Sequence, residues 1–407
     1  MKLAYIVSRF PVVTETFILR ELNAVSEQPG IDAELLFLFP PPSDSRAHPA
    51  AERWLDTARR PNAANALGAL LASMVQRPLR TLSSIGLVIR GHIRRPGRLA
   101  RALVTIPLAA SHARHLQRRG TEHVHAHYAT YPALAAWWCW RLKGIPYSVT
   151  PHAQDIFIDQ SFLGQVISDA KFVVAISAYN REFLAPYGAG RETPVHLVRY
   201  GIEPRAYRFR LRELPAQGPV RTLCVASLRE YKGHAVLFHA LSEDGQRQLG
   251  RIELDLVGNG ELREELEQLA ERLGLGSRIH FHGSRREHEV IEYLDRADLF
   301  VLPSVVDREG CMEGLPNVLI EALACGIPTV STRLSGIPEL VADGSTGALA
   351  EPGDPASLRA ALERVLGHPA DARRWAEKGR SRVEHEFDIE ASSRRLAELF
   401  RAAVGES

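Results

Sequence analysis

Two doubly wound α/β domains in one chain are predicted by three features. Apolar runs of strand length alternate with helical patterns along the 407 residues, the alternation comes in two series, and a stretch rich in Pro and Gly parts them. The first series reads as strands at 3–7, 33–39, 123–127, 147–150 and 172–176; the second at 221–226, 251–257, 278–282, 299–302, 329–332 and 347–350. Between them, 201–219 carries Pro204, Pro215, Gly218 and Pro219 with few apolar residues. This sets a first domain at 1–204, a linker at 205–218 and a second domain at 219–385. Val383, Phe387, Leu396, Leu399 and Phe400 then recur at near-helical spacing, so 386–407 is expected to be a terminal helix packing back towards the first domain. The two domains are expected to face a central cleft, because parallel sheets bind ligands at the carboxyl ends of their strands.

Composition excludes several classes. With 45% hydrophobic and 24% charged residues the chain is globular rather than disordered. Cys139, Cys224, Cys311 and Cys325 form no CxxC pair, which argues against a disulfide framework and against a thiolate metal site, and fits a reducing cytoplasm. Only five apolar residues separate Lys2 from Ser8, too few for the apolar region of a signal peptide, so this segment is expected to be a core strand. No run approaches the roughly 18 to 20 apolar residues of a spanning helix, the nearest being 102–113.

The formal charge of +2 conceals an asymmetry: 57–121 contains twelve Arg and no Lys, Asp or Glu, which leaves −10 on the remainder. Within it Leu67, Leu70, Leu71, Met74 and Val75 recur at helical spacing, followed by Leu82, Ile85, Val88 and Ile89, with Arg77, Arg80 and Arg90 among them. A basic amphipathic segment of this kind suits an anionic membrane surface. Aromatics for base stacking are not interleaved, so nucleic acid is not expected as a partner.

The densest chemistry lies in SVVDREGCMEGLPNVLIEALACGIPTVS, 304–331. A helix beginning at Leu315 or Pro316 and stopped by Gly326 and Pro328 leaves Glu313 before its start and puts Glu321 about 8 Å along its axis. The backbone N–H groups at this helix start, at Gly314, Leu315 and Asn317, face an anion such as a phosphate, with Pro316, which has none, in the first turn beside them. EGLPNVLIEALACGIP resembles the Glu-x7-Glu region of retaining glycosyltransferase family 4. SRFPVVTETFILREL, VHAHYAT, VTPHAQDIF, VVAISAYNREFL, VRYGIE and ASLREYKGHAVL resemble further segments of that family, in order, over nearly the whole chain. The likeness is nearest to its branch acting in colanic-acid-type and other exopolysaccharide assembly, and it implies the GT-B fold.

Carried over residue by residue, the resemblance gives Glu313 the hydroxyls of the donor hexose, Glu321 the ribose and Lys232 the donor diphosphate. A fixed cation there stabilises the charge that grows on the leaving phosphate. Ser227 stands where the family usually has a second phosphate-binding arginine; either Arg229 reaches the phosphate from a shifted loop or another residue supplies that charge. His152, beside Asp155, matches the family histidine near the donor sugar. His123, His125 and His127 alternate to one face of a strand. His127, at its end, is expected to line the site, and no metal is expected because a fourth ligand and acidic partners are lacking nearby in sequence. Gly258 begins a turn suited to close approach by the nucleotide, and Gly283 lies where the family reads the base. Thr14 is a helix N-cap candidate, and Arg9 and Glu15 in the same loop are expected on the acceptor side with His127 and Asp155.

The expected function is thus a retaining hexosyltransferase without cofactor or metal, the leaving phosphate helping to deprotonate the acceptor. Its donor is a nucleotide diphosphate sugar, UDP favoured over GDP; its acceptor is lipid-linked or glycan, in cell-surface polysaccharide synthesis at the inner face of the cytoplasmic membrane. A sugar-nucleotide epimerase of the same architecture and a non-catalytic sugar-nucleotide-binding protein are the alternatives.

Overall fold

A computed structural model describes residues 1–12, 15–41, 49–242, 248–405. Thr14 lies outside them. Contacts divide the chain into two units, Met1–Gly201 with Ile389–Ser407, and Ile202–Asp388. In the first, strands β1 (Lys2–Arg9), β2 (Asp32–Phe39), β3 (His123–His127), β4 (Tyr147–Thr150), β5 (Phe172–Ala175) and β6 (Val195–Leu197) form a parallel sheet in the order β2-β1-β3-β4-β5-β6. In the second, β7 (Val220–Val225), β8 (Ile252–Val257), β9 (Ile279–Gly283), β10 (Leu299–Leu302), β11 (Thr329–Thr332) and β12 (Ala348–Ala350) run parallel in the order β12-β11-β10-β7-β8-β9. Each order reverses once, between β1 and β3 and between β7 and β10, which is where open α/β sheets hold ligands.

Both faces of the first sheet are covered, so β1, β3, β4 and β5 bury successive residues on both sides rather than on alternate ones. Ala4 and Ile6 of β1 enter one core with Trp137 and Trp138, whereas Leu3, Tyr5 and Val7 enter the other. The last helix, Ile389–Val404, fills that second core. Its Phe400 packs on Tyr5, His123, His125 and Phe172 with ring centroids 5.1 to 6.2 Å apart.

The expected linker at 205–218 belongs to the second unit instead, and the division comes at 201/202. Ile202 N donates to Phe387 O and Arg210 N to Cys325 O. Arg212, 3% exposed, donates to the carbonyls of Ala297, Arg210, Cys325, Leu294 and Asp295. Its guanidinium ties the segment to helix C-termini through backbone oxygens, which leave no trace in apolar periodicity.

The Arg-rich region folds as helices α2 (Ala63–Gln76), α3 (Pro78–His92) and α4 (Pro96–Arg119), following α1 (Thr16–Ser26). α2 and α3 both pack on α4. They do so with small residues: Ala66, Ala69 and Ser73 of α2 and Thr81, Ser84 and Val88 of α3 are buried. Of the apolar residues read as one stripe, Leu70, Ile85 and Val88 point inward, whereas Leu67, Leu71, Val75 and Leu82 are exposed, as are Leu79 and Ile93.

Removing the Phe400 ring opens a cavity against four aromatic neighbours. Phe400→Ala is expected to destabilise the first unit by about 3 to 5 kcal/mol. The readout is the denaturant midpoint followed by tryptophan fluorescence, which reports mainly on this unit because Trp54, Trp137, Trp138 and Trp140 lie in it. An unchanged midpoint would show that the terminal helix is dispensable to the core.

Candidate active site

In the second unit the chain leaves β7 through Ala226–Leu228 and makes a 3-10 turn at Glu230–Lys232. Gly233 ends that turn at φ +75°, and a Cβ there would collide with the Pro303 carbonyl, so glycine is what lets the Lys232 turn press on the end of β10. Lys232 Nζ donates to Glu313 Oε1. The two side chains are 15% and 13% exposed, and the ammonium also stands 5.0 Å from the Tyr231 ring. Burial pushes Lys232 down to about 8, with the Cys224 and Cys311 thiols pulling the other way.

Glu313 leads into the helix Asn317–Ala324, whose N-cap is Pro316, one position later than sequence reading placed its start. Gly314 O accepts from Ser335 Oγ at 2.8 Å and from Gly336 N at 3.1 Å, which fixes the approach to the helix, and Leu315 is buried behind it. Glu321 lies half-buried in the second turn. Among the described residues, Asn317 Oδ1, Ser304 Oγ and both ring nitrogens of His234 are buried without a hydrogen-bond partner. All three sit on the segments that carry Lys232 and Glu313, and buried polar atoms of this kind are normally satisfied by water or ligand. Sequence reading had not singled out Ser304 or His234. The only signal for either was a polar side chain at the end of a strand or just after Lys232-Gly233.

Arg229 is exposed at the start of the same turn, its N donating to Ser227 O at 2.8 Å, and its charge reaches Lys232. Gly258 and Gly260 are needed for packing. Cβ atoms there would collide with the carbonyls of Ala226 and Leu228, so the turn lies flat on the loop after β7. Gly283, at φ +70°, accepts from Gly258 N at 2.9 Å and joins the same layer.

In the first unit His127 and His152, at the ends of β3 and β4, belong to a buried hydrogen-bonded chain. Tyr200 OH donates to His152 Nδ1 at 2.5 Å, His152 Nε2–H to His127 Nδ1 at 3.2 Å and His127 Nε2–H to Glu21 Oε1 at 3.0 Å. The sense of the chain follows from the carboxylate, which only accepts. Tyr5 OH donates to the same oxygen at 3.1 Å. Burial, then the proximity of His127, holds His152 well below the ordinary imidazole range, so it is neutral. His125 is bonded to Ser148 Oγ and Thr150 Oγ1, and His123 to Ser148 Oγ. Glu21, His125 and His127 come close enough to share a metal ion, but the hydrogen bonds just described already engage their ring nitrogens and the Glu21 oxygen. Glu21, on α1, had not been identified from sequence; nothing in its helical pattern distinguishes it from a surface acid.

Asp155, expected on the acceptor side, is 1% exposed. Its Oδ2 accepts from the amides of Ala129 at 2.7 Å and His152 at 3.1 Å and so clamps the loops after β3 and β4. Burial raises its carboxyl to about 7 against the pull of those amides. His127 is likewise fully buried, behind His152. Arg9 and Glu15 line a cavity beside Tyr128, whose φ of +75° is unusual for a bulky residue and brings its ring to 4.5 Å from His152.

The chain is similar to known proteins in sequence and in fold. The family model for "Glycosyl transferases group 1" matches residues 209–382 and that for "Glycosyltransferase Family 4" residues 69–206. The chain is 31% identical to the amylovoran biosynthesis glycosyltransferase AmsK of Erwinia amylovora, over 98% of this chain and 99% of that one. It is 36% identical to the putative colanic acid biosynthesis glycosyltransferase WcaL of Escherichia coli, over 54% of this chain and 53% of that one. Anabaena HepE, solved with UDP and glucose, superposes with a TM-score of 0.72 at 16% identity, over 99% of this chain and all of that one. With the GT-B fold and likeness along its full length to a glycosyltransferase, this chain belongs to glycosyltransferase family 4.

Proposed function

We propose that the chain is a retaining hexosyltransferase that moves a sugar from a nucleotide diphosphate donor, UDP favoured, to a lipid-linked acceptor in exopolysaccharide synthesis. The observation that carries this reading is the buried Lys232–Glu313 pair at the β7/β10 reversal, next to the unpartnered Asn317, Ser304 and His234. In this reading the diphosphate takes Lys232 from Glu313, which frees the carboxylate for the sugar hydroxyls, while Glu321 holds the ribose. Charge growing on the leaving phosphate is met by the ammonium, by the amides of the Asn317 helix and by Arg229. That phosphate then takes the proton of the attacking hydroxyl on the same face, which preserves the anomeric configuration. His152, being neutral, contributes hydrogen bonding rather than charge.

The exposed apolar residues of α2 and α3 support membrane attachment. An ordinary amphipathic helix turns most of its large apolar side chains inward, whereas these two turn in Leu70, Ile85 and Val88 but expose Leu67, Leu71, Val75, Leu79 and Leu82 among arginines. No described helix is long and apolar enough to cross a membrane. In this reading the protein works at the inner face of the cytoplasmic membrane, where a lipid-linked acceptor meets a dissolved donor.

Mass spectrometry of products from a lipid-linked acceptor with UDP- and GDP-sugars tests the reaction. Lys232→Ala and Glu313→Ala are expected to lower kcat by at least a hundredfold, Glu321→Ala to act mainly on KM, and EDTA to leave the rate unchanged. Normal turnover in Lys232→Ala would remove the phosphate role. A pH test follows from the burial of Lys232: the ammonium is lost as pH rises through about 8. UDP affinity by calorimetry should therefore fall about tenfold from pH 7 to pH 9, and the fall should vanish in Lys232→Arg. A flat wild-type profile would contradict it. Sedimentation with anionic and neutral vesicles tests attachment, which should favour anionic lipid, weaken with salt and drop when Leu71, Val75, Leu79 and Leu82 become Ser. Equal binding to both vesicle types at low salt would end the membrane reading.

A further inference from the structure

The first unit contains a cavity of about 700 Å³ at the carboxyl end of β1 that no residue discussed so far explains as a donor site. Four arginines line it: Arg9 at the end of β1, and Arg95, Arg98 and Arg101 in and just before the first turns of α4. Their present partners are few. Arg9 Nη1 donates to Pro40 O at 2.6 Å, Arg95 Nη1 to Ile158 O at 3.0 Å, and Arg101 lies over the Tyr131 ring at 5.6 Å. Among the described residues Arg98 is the one of the four in an ion pair, with Asp159 at 2.6 Å, and it also donates to Ile158 O at 3.3 Å. The other acid in the lining is Glu15, whose carboxyl burial raises against the pull of Tyr128, His127 and Arg9. A guanidinium carries five donors in a fork that fits phosphate oxygens, so four of them around one cavity, against two acids in its lining, make an anion site.

Its surroundings narrow the ligand. Ile93, two residues before Arg95, is 63% exposed, and Leu103 and Val104, just beyond Arg101 on α4, are 40% and 56% exposed. Exposed apolar side chains thus flank the cavity's arginines along the chain, a combination that suits a molecule with an anionic head and a hydrocarbon tail. We propose that this cavity receives the phosphate or diphosphate of the lipid-linked acceptor, its arginines on the anion and its tail along Ile93, Leu103 and Val104. The proposal rests on the transferase reading above and adds to it that the acceptor is held by its anionic linkage as well as by its sugar. Asp159 competes with the anion for Arg98 and keeps the guanidinium in place when the cavity is empty.

The test uses the full chain with three probes, farnesyl diphosphate, farnesol and inorganic pyrophosphate, followed by calorimetry, with UDP as a separate measure of the second unit. Farnesyl diphosphate is expected to bind at least tenfold more tightly than either other probe. Arg95→Gln with Arg98→Gln and Arg101→Gln should weaken it at least tenfold while UDP affinity stays unchanged. Asp159→Asn should tighten it several-fold, which a folding defect would not do. Pyrophosphate binding as tightly as farnesyl diphosphate would assign the cavity to free phosphate and overturn the lipid source. Farnesol binding as tightly, or equal affinity in the triple variant, would overturn the anion site. Loss of UDP binding and sugar transfer with farnesyl diphosphate binding intact would sink the transferase reading alone.

Discussion

A parallel sheet covered on both faces has nowhere to put an unpaired polar side chain except at the carboxyl ends of its strands. Both units obey this constraint, and it decides where chemistry can be. In the second, β7 and β10 part at the reversal of strand order and deliver Lys232 and Glu313 to one place. In the first, β3 carries three histidines through the core, where Ser148, Thr150, Glu21 and His152 engage both ring nitrogens of His125 and His127 but only Nε2 of His123. Towards its carboxyl end this polar strand is thus a chain of paired donors and acceptors, while His123 Nδ1 stays buried without a partner.

The fold was legible where burial dictates residue type. Eleven of the twelve strands follow from apolar runs; β6, Val195–Leu197, is three residues long with a histidine at its centre and offers no such run. The linker was misread for the opposite reason. Its residues are polar and Pro-rich, yet Arg212 anchors them through backbone carbonyls, an interaction that composition does not encode. In the candidate site, Glu313, Glu321 and Lys232 were singled out by motifs of fixed spacing, and the fold brings Lys232 and Glu313 together. Glu21, Ser304 and His234 were not, because what marks them is a partner or a missing partner supplied by a distant segment. Asp155 was found for its place beside His152, but its burial turns a presumed acceptor contact into a clamp on two loops.

The arginines of 57–121 illustrate how one compositional feature divides in three dimensions. Arg119 pairs with Asp32 and Glu34 at the start of β2, and Arg98 with Asp159. Others, including Arg77, Arg80, Arg90 and Arg94, stay exposed beside the outward leucines of α2 and α3. A single-sign run thus serves sheet edge, cavity and surface at once, which a net charge cannot reveal.

The terminal helix carries a consequence for how the protein is made. Residues 389–404 complete the core of the first unit, whereas the whole second unit lies before them in the chain. During synthesis from the N-terminus the second unit can therefore finish folding while the first still lacks Phe400 over its histidine strand. Until residues 389–404 have been made, Tyr5, His125 and Phe172 lack the ring that covers them. That interval is when the nascent chain is most exposed to misassociation, and it makes the C-terminal helix the final stitch of the N-terminal half.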